Sequence, residues 1–452
     1  MSTNRKANAS PTKAFFVRML TRDISLDDCI LDLVDNSIDG AWKVSGEKPH
    51  DLRSDSSLSK YEVSISISEN GFTISDNCGG ITLDDAANYA FTFGRREQQE
   101  RGDFSVGVYG IGMKRAVFKL GNQIEIASTY REAHSLEAFK VPINVENWLL
   151  DDTGAWDFDI EENVPSASPG VSITVRELTP ETSAKFSDPS YVRSLRRVLG
   201  RDYMVPLMRG LSIIVNGIRV SGWNLDLREN ESFAPMRDDY KDGSVSVEIL
   251  AGMAALPPDD REPDDEKPTR DVSGWYVMCN GRVVLAADTT TLTGWGAMLP
   301  RWHKQYSGFA GIVMFNSEDP SLLPMTTTKR NVDVSSAVYQ RALVGMHKPT
   351  RAWIDYTNAR KQNPEAVRQI EETVRKVDAF SVTKRQEIRL PKVEKPRSRE
   401  RMANVNYSVP LVKLRALGDG FGDSAMTYRE VGLKSFEYAY DDLAVETRND
   451  LN

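Results

Sequence analysis

Cysteine and histidine are scarce in this chain of 452 residues. The three cysteines, Cys29, Cys78 and Cys279, stand far apart and form no CxxC pair. That spacing argues against a zinc finger and against a disulfide framework. The four histidines are scattered as well. Nowhere do eighteen apolar residues run together, and the opening MSTNRKANASPTK has no apolar stretch of the kind a secretory signal needs. The expectation is an intracellular, cytoplasmic protein with no membrane contact. Positive charge is not in excess either: a net charge of −8 makes the molecule a poor indiscriminate binder of polyanions. Residues 351–400 are locally basic, with thirteen Lys and Arg against eight Asp and Glu, running into PKVEKPRSRER. The plainer interpretation is a solvated helix face and a linker, and the sharper one is a nucleic-acid contact. What is present is ordinary: 40% hydrophobic and 27% charged residues, in a length that suggests two compact domains and a tail.

Along the chain, SLDDCILDLVDNSIDGAW reads as a helix, with Ser25 and Asp28 spaced as in a capping box. In YEVSISIS, Tyr61, Val63, Ile65 and Ile67 alternate with polar residues, the period of a half-buried strand. Glu69-Asn70-Gly71 supplies a hairpin turn before the returning strand Phe72–Ser75. Strands follow at 123–129 and 171–178, with a Gly-rich passage and a helix between 107 and 120. This order predicts an α+β fold, a two-layer sandwich. A second α/β region begins near residue 190, with an Asn-Gly hairpin in LSIIVNGIRV and strands in SVSVEIL, GWYVMCNGRVVL and GFAGIVMF. Its insert PPDDREPDDEKPTR reads as a mobile loop. From Ser335 to about Phe380 the pattern is helical, with Pro349 and Pro364 as breaks.

Three short segments carry chemistry. On the first helix Asp32, Asp35, Asn36 and Asp39 fall at i, i+3, i+4 and i+7 and form one stripe, opposite Ile30, Leu31, Leu33, Val34 and Ile38. Three carboxylates on one stripe repel one another, and bound magnesium, which prefers oxygen ligands, would offset the repulsion. An acidic solvent face is the plain alternative. The second segment is Asp76-Asn77-Cys78-Gly79-Gly80-Ile81 at a strand end. A carboxylate there accepts from an exocyclic amino group, and the bare glycine backbone lets a flat ring approach. The third is Gly107-Val108-Tyr109-Gly110-Ile111-Gly112-Met113-Lys114, whose glycines at a helix start let N–H groups converge on phosphate oxygens. It fits neither the Walker pattern nor a dinucleotide fold.

In this order and spacing the three segments resemble the GHKL superfamily of ATPases, named for gyrase, heat-shock chaperone, histidine kinase and MutL. LDLVDNSIDGA looks like its first motif, ISDNCGGI its adenine motif and GVYGIGMKRAVFKLG its phosphate motif. The resemblance implies a Bergerat-fold pocket for ATP and Mg2+. In it Asn36 ligates magnesium, Asp76 holds the adenine amino group, and Gly110, Gly112 and Lys114 surround the phosphates, with Asp39, Gly80, Gly107, Met113 and Thr174 completing the nucleotide site. The segment 91–105 would be the lid. Two departures matter: Asp32 stands where the family usually has a Glu general base, which implies slow hydrolysis, and Cys78 stands where many members have glycine.

VMCNGRVVLAAD resembles a strand of the MutL second domain, and LPMTTTKRNVD falls where that domain offers a lysine to the γ-phosphate, which makes Lys329 the second catalytic candidate. The phosphate motif is most similar to that of the microrchidia (MORC) ATPases. The expected layout is an N-terminal strap at 1–20, the ATP-binding domain at 21–185, a transducer-like α/β domain at 186–335, a helical region at 336–390, and a linker and tail at 391–452. The implied function is a slow, ATP-gated homodimer that clamps or remodels a DNA or protein client. An ATP-sensing module with little or no hydrolysis is the alternative.

Overall fold

The computed structural model describes residues 11–52, 57–93, 104–107, 110–151, 156–258, 272–393, 405–423 and 425–443. The chain divides into two compact units, Met1–Lys395 and Pro396–Asn452.

In the larger unit, α1 (Lys13–Arg22) precedes α2 (Leu26–Ser45). The predicted capping box is formed: Ser25 Oγ accepts from the Asp28 N–H at 3.1 Å and donates to its carboxylate at 2.8 Å. Gly46, in the left-handed region at φ 73°, ends the helix. Strands β1 (Glu62–Ser68) and β2 (Gly71–Asp76) form the predicted hairpin, with Ser68 opposite Gly71. After the short α3 (Leu83–Asp85) come α4 (Gly112–Leu120), β3 (Gly121–Glu132), β4 (Ser135–Asn144), α5 (Val145–Leu150), β5 (Glu161–Glu162) and β6 (Gly170–Leu178). Helices α6 (Pro180–Phe186), α7 (Pro189–Asp202) and α8 (Met204–Met208) lead to β7 (Ser212–Val215) and β8 (Ile218–Arg219).

These eight strands form one sheet in the order β5-β4-β3-β6-β2-β1-β7-β8. All neighbours are antiparallel except β1 and β7. Alternate strand residues such as Val63, Ile65, Ile74, Ile126 and Ile173 share a core with Ile30, Leu33, Val34 and Val117 from α2 and α4. This is the two-layer α+β arrangement the patterning predicts. The Asn216-Gly217 hairpin, expected in the second region, instead completes this first sheet, because β7 pairs with β1. The sheet therefore extends past residue 185.

The second sheet contains β9 (Asp226–Glu229), β10 (Met236–Asp242), β11 (Val245–Met253), β12 (Gly274–Cys279), β13 (Arg282–Asp288), β14 (Phe309–Asn316) and β15 (Arg375–Asp378). The β12–β13 turn holds Asn280 at φ 45° and Gly281 at φ 77°, positive values that asparagine and glycine tolerate best. The long α9 (Ala337–Gln362) packs on this sheet. It runs through Pro349, contrary to the predicted break there. Buried Met346, Trp353 and Ile354, with the Thr350 hydroxyl donating to the Met346 carbonyl at 2.8 Å, outweigh the lost N–H. Pro364 does separate α9 from α10 (Glu365–Glu372).

The smaller unit contains α11 (Leu411–Gly420) and α12 (Tyr428–Leu443), with Gly418 and Val431 buried.

Candidate functional site

Segments from α2, the end of β2, the glycine turn before α4 and the loop at 327–329 line one cavity of about 380 Å³. That is within the range of small-molecule sites. Asp32, Asn36, Asp39, Asp76, Gly80, Gly107, Gly110, Gly112, Met113, Lys114 and Lys329 all line it. Thr174 does not. On β6 it is Ile173 that faces the cavity, and Thr174 points to the other face of the sheet, where its hydroxyl lies 3.5 Å from that of Thr73. Tyr109, residues 94–103 of the lid and residues 259–271 of the acidic insert lie outside the described residues.

At the β2 end, Asp76 is held by three donors. Its Oδ2 accepts from the Ser37 hydroxyl at 2.7 Å, and its Oδ1 from the N–H groups of Cys78 at 2.8 Å and Val171 at 3.3 Å. Burial nevertheless pushes its carboxyl above the usual range. Gly80 has φ 76°, and a Cβ there would lie 2.0 Å from the Thr129 carbonyl oxygen, so the close passage of this turn against β3 requires glycine. Ile74, Val171, Ile173 and Met113 add apolar lining.

At the α4 end, Ile111 occupies the N-cap and no side chain caps the helix. Its first N–H groups have no partner within the helix, and the residues that bear them line the cavity. Lys114 is 3% exposed and donates to the Ala90 carbonyl at 2.8 Å. Burial lowers its pKa to about 8. Asp39 accepts from the N–H groups of Val106 at 2.9 Å and Gly107 at 3.0 Å, tying this turn to α2. Burial pushes its carboxyl up to about 7, against the opposing pull of Lys329 and these N–H groups.

The acidic stripe is offset by protein cations, which the sequence pattern did not reveal. Asp32 Oδ2 meets Arg115 Nη2 at 2.6 Å and Nε at 2.8 Å, and its Oδ1 meets Lys329 Nζ at 3.2 Å. Asp35 is paired with Lys329 at 2.8 Å and Arg282 at 3.0 Å, and accepts from the Tyr203 hydroxyl at 2.7 Å. Burial alone would raise the Asp35 pKa, but these cations outweigh it and hold the carboxyl below its ordinary value. Arg282 also reaches Asp202 at 3.0 Å, and Arg330 binds Asp28 at 2.7 Å. Arg115, Arg282, Asp202, Tyr203 and Ser37 were therefore missed, because nothing local in sequence marks their partners.

Asn36 differs from its stripe neighbours in being exposed. Among the described residues no group of three or more His, Cys, Asp or Glu is arranged to hold a metal ion. This donor set fits magnesium that takes one protein oxygen, from Asn36, and completes its shell with phosphate and water. It does not fit a preformed cage.

Residues 24–169 match the family model described as "Histidine kinase-, DNA gyrase B-, and HSP90-like ATPase". Over that span the chain is similar to GHKL-type ATPase domains. No curated protein matches it. The matched span includes Asp32, Asp76, Lys114 and Arg115. Val171, Ile173, Thr327 and Lys329, which line the same cavity, lie beyond it. No helix among the described residues is long and apolar enough to cross a membrane.

Proposed function

We propose that the cavity binds ATP with magnesium and hydrolyses it. One observation carries this: a half-buried acceptor carboxylate beside a bare glycine turn and an uncapped helix N-terminus with a buried lysine line the same cavity. Asp76 accepts from the adenine amino group, and Gly80 lets the turn beside it pass close against β3 at the cavity wall. The glycine turn, tied to Asp39 through Gly107, presents the N–H groups at Gly110 and Gly112 to phosphate, and Lys114 adds charge. Asn36 holds magnesium, which supplies charge neutralisation on the phosphates. Asp32 receives the proton of the attacking water, and Lys329 offsets charge on the transferred phosphoryl group.

Assembly belongs to the same proposal: ATP-bound heads pair and clamp or remodel a DNA or protein client, as MORC-like and MutL-like heads do. Exposed Phe15 and Met19 on α1 support a surface for a second copy. A nucleic-acid contact through residues 351–400 gains little support, since Arg360 pairs with Glu371, Arg375 with Glu229 and Lys376 with Asp226. Residues 394–404 lie outside the described residues. The second reading, an ATP sensor with little hydrolysis, is favoured by the engagement of both Asp32 oxygens by cations.

Calorimetric titration with ATP, followed in parallel by light scattering, tests binding and assembly. Asp76→Asn should weaken ATP binding by about 1–3 kcal/mol, roughly fivefold to 150-fold. The native protein should double in mass with ATP and not with ADP. Unchanged affinity in Asp76→Asn removes the nucleotide assignment, and unchanged mass removes the dimer.

A further inference from the structure

Arg115 has no part in the roles assigned so far, yet it is 8% exposed and lies at the centre of the site. It sits one residue after Lys114 on α4 and touches two separate parts of the chain. Through Nε at 2.8 Å and Nη2 at 2.6 Å it binds a single oxygen of Asp32, Oδ2. Through Nη2 it also donates to the Thr327 carbonyl at 3.3 Å, in the loop that carries Lys329. Asp32 itself lies against the start of α4: a Cβ at Gly112 would be 3.2 Å from Asp32 Oδ2. The other oxygen, Oδ1, is met by Lys329 at 3.2 Å. Lys329 has a closer partner in Asp35, at 2.8 Å, and its backbone is held in the left-handed region at φ 55°, a conformation that costs energy for a non-glycine residue.

These contacts divide the two Asp32 oxygens. Oδ2 is fixed by a guanidinium that is itself anchored in two places. Oδ1 is met by a cation that already has a second carboxylate to hold. We propose that Arg115 is a positioning residue, which fixes the short Asp32 side chain by one oxygen so that departure of Lys329 alone frees the other to act as base. This rests on the hydrolytic reading above. When Lys329 shifts from Oδ1 towards Asp35 or the γ-phosphate, water attacks the γ-phosphorus and one of its protons passes to Oδ1. The bond from that phosphorus to the βγ-bridging oxygen breaks, with its electron pair leaving on ADP. The grip of Arg115 compensates for a carboxylate one methylene shorter than Glu, whose reach would otherwise be free to vary. The same contact to Thr327 sets the height of the Lys329 loop, so one guanidinium registers base and cation together.

The test uses the full chain with ATP and magnesium, measuring kcat, KM, the affinity for a fluorescent ATP analogue and thermal stability. The variants are Arg115→Gln and Arg115→Lys, with Arg115→Gln also made in an Asp32→Asn background. Arg115→Gln should lower kcat by about tenfold or more while analogue affinity changes less than about threefold, because misplacement of a base acts on the chemical step. Arg115→Lys, which keeps the charge and one donor, should recover part of the loss and keeps the question answerable if Arg115→Gln does not fold. In the Asp32→Asn background, Arg115→Gln should have no further effect on kcat. A kcat for Arg115→Gln within about twofold of native, or an equal loss in both backgrounds, overturns the positioning role while leaving the hydrolytic reading intact. Analogue binding without turnover in the native protein overturns both.

Discussion

Lys114 combines burial, a single carbonyl partner in Ala90 and a place on the cavity wall, with a pKa lowered from 10.5 to about 8. Burial is the cause, since the charged form loses water that one carbonyl does not replace. The sign of the pH effect follows. Between about 8 and 10.5 the unfolded chain holds this proton more tightly than the folded one, so the contribution of Lys114 to folding becomes more favourable as pH rises. Its contribution to phosphate binding moves the other way, since only the ammonium attracts the anion. ATP affinity should therefore fall as pH rises through and beyond about 8, and the fall should be flattened in Lys114→Met. Titrations of both proteins over that pH interval check it, and parallel curves would mean that Lys114 does not face the phosphates.

At the scale of elements, α2 is unusual in burying two of its carboxylates, Asp32 and Asp35, among cations from α4, β13 and the loop after β14. Buried charge of this kind adds little net stability as a set but is costly to break. Arg282 is 2% exposed, between Asp35 and Asp202 and over the Tyr203 ring at 4.5 Å. Arg282→Met should cost about 3–5 kcal/mol, because it leaves two buried carboxylates short of a partner. Denaturant unfolding measures this, and a loss below about 1 kcal/mol would show that water or Lys329 takes over the charge. The same helix marks what was legible in the sequence. Its Ser25 cap and the alternation in β1 are local patterns, and each is found in the fold. The charge network is not local. Arg115 and Asp32 are separated by 83 positions and Lys329 and Asp35 by 294, so periodicity on α2 alone suggested a metal where the fold supplies arginine and lysine. Thr174 failed for a related reason: strand alternation assigns it to one face or the other, and only the register with β2 decides which.

In the larger unit, the first sheet is completed by a hairpin that begins at Ser212, past the expected domain end at 185, and Thr327 and Lys329, from the chain after β14, line the wall of its cavity. The proposed nucleotide site is thus built from both halves of that unit, although the matched family segment covers residues 24–169. That makes Lys329 a reporter of how the second sheet meets the first. In the proposed mechanism Asp32 has two states, the one seen here, engaged by Lys329, and one free on Oδ1, which would correspond to the resting and the hydrolytic protein. Steady-state ATP hydrolysis with magnesium, compared between the native chain and Asp32→Asn with ATP binding measured in both, separates them. Measurable turnover in the native protein that falls to a small residual rate in Asp32→Asn while binding is kept is the expected result; native binding without turnover, or turnover indifferent to Asp32, would contradict an ATPase that uses this carboxylate.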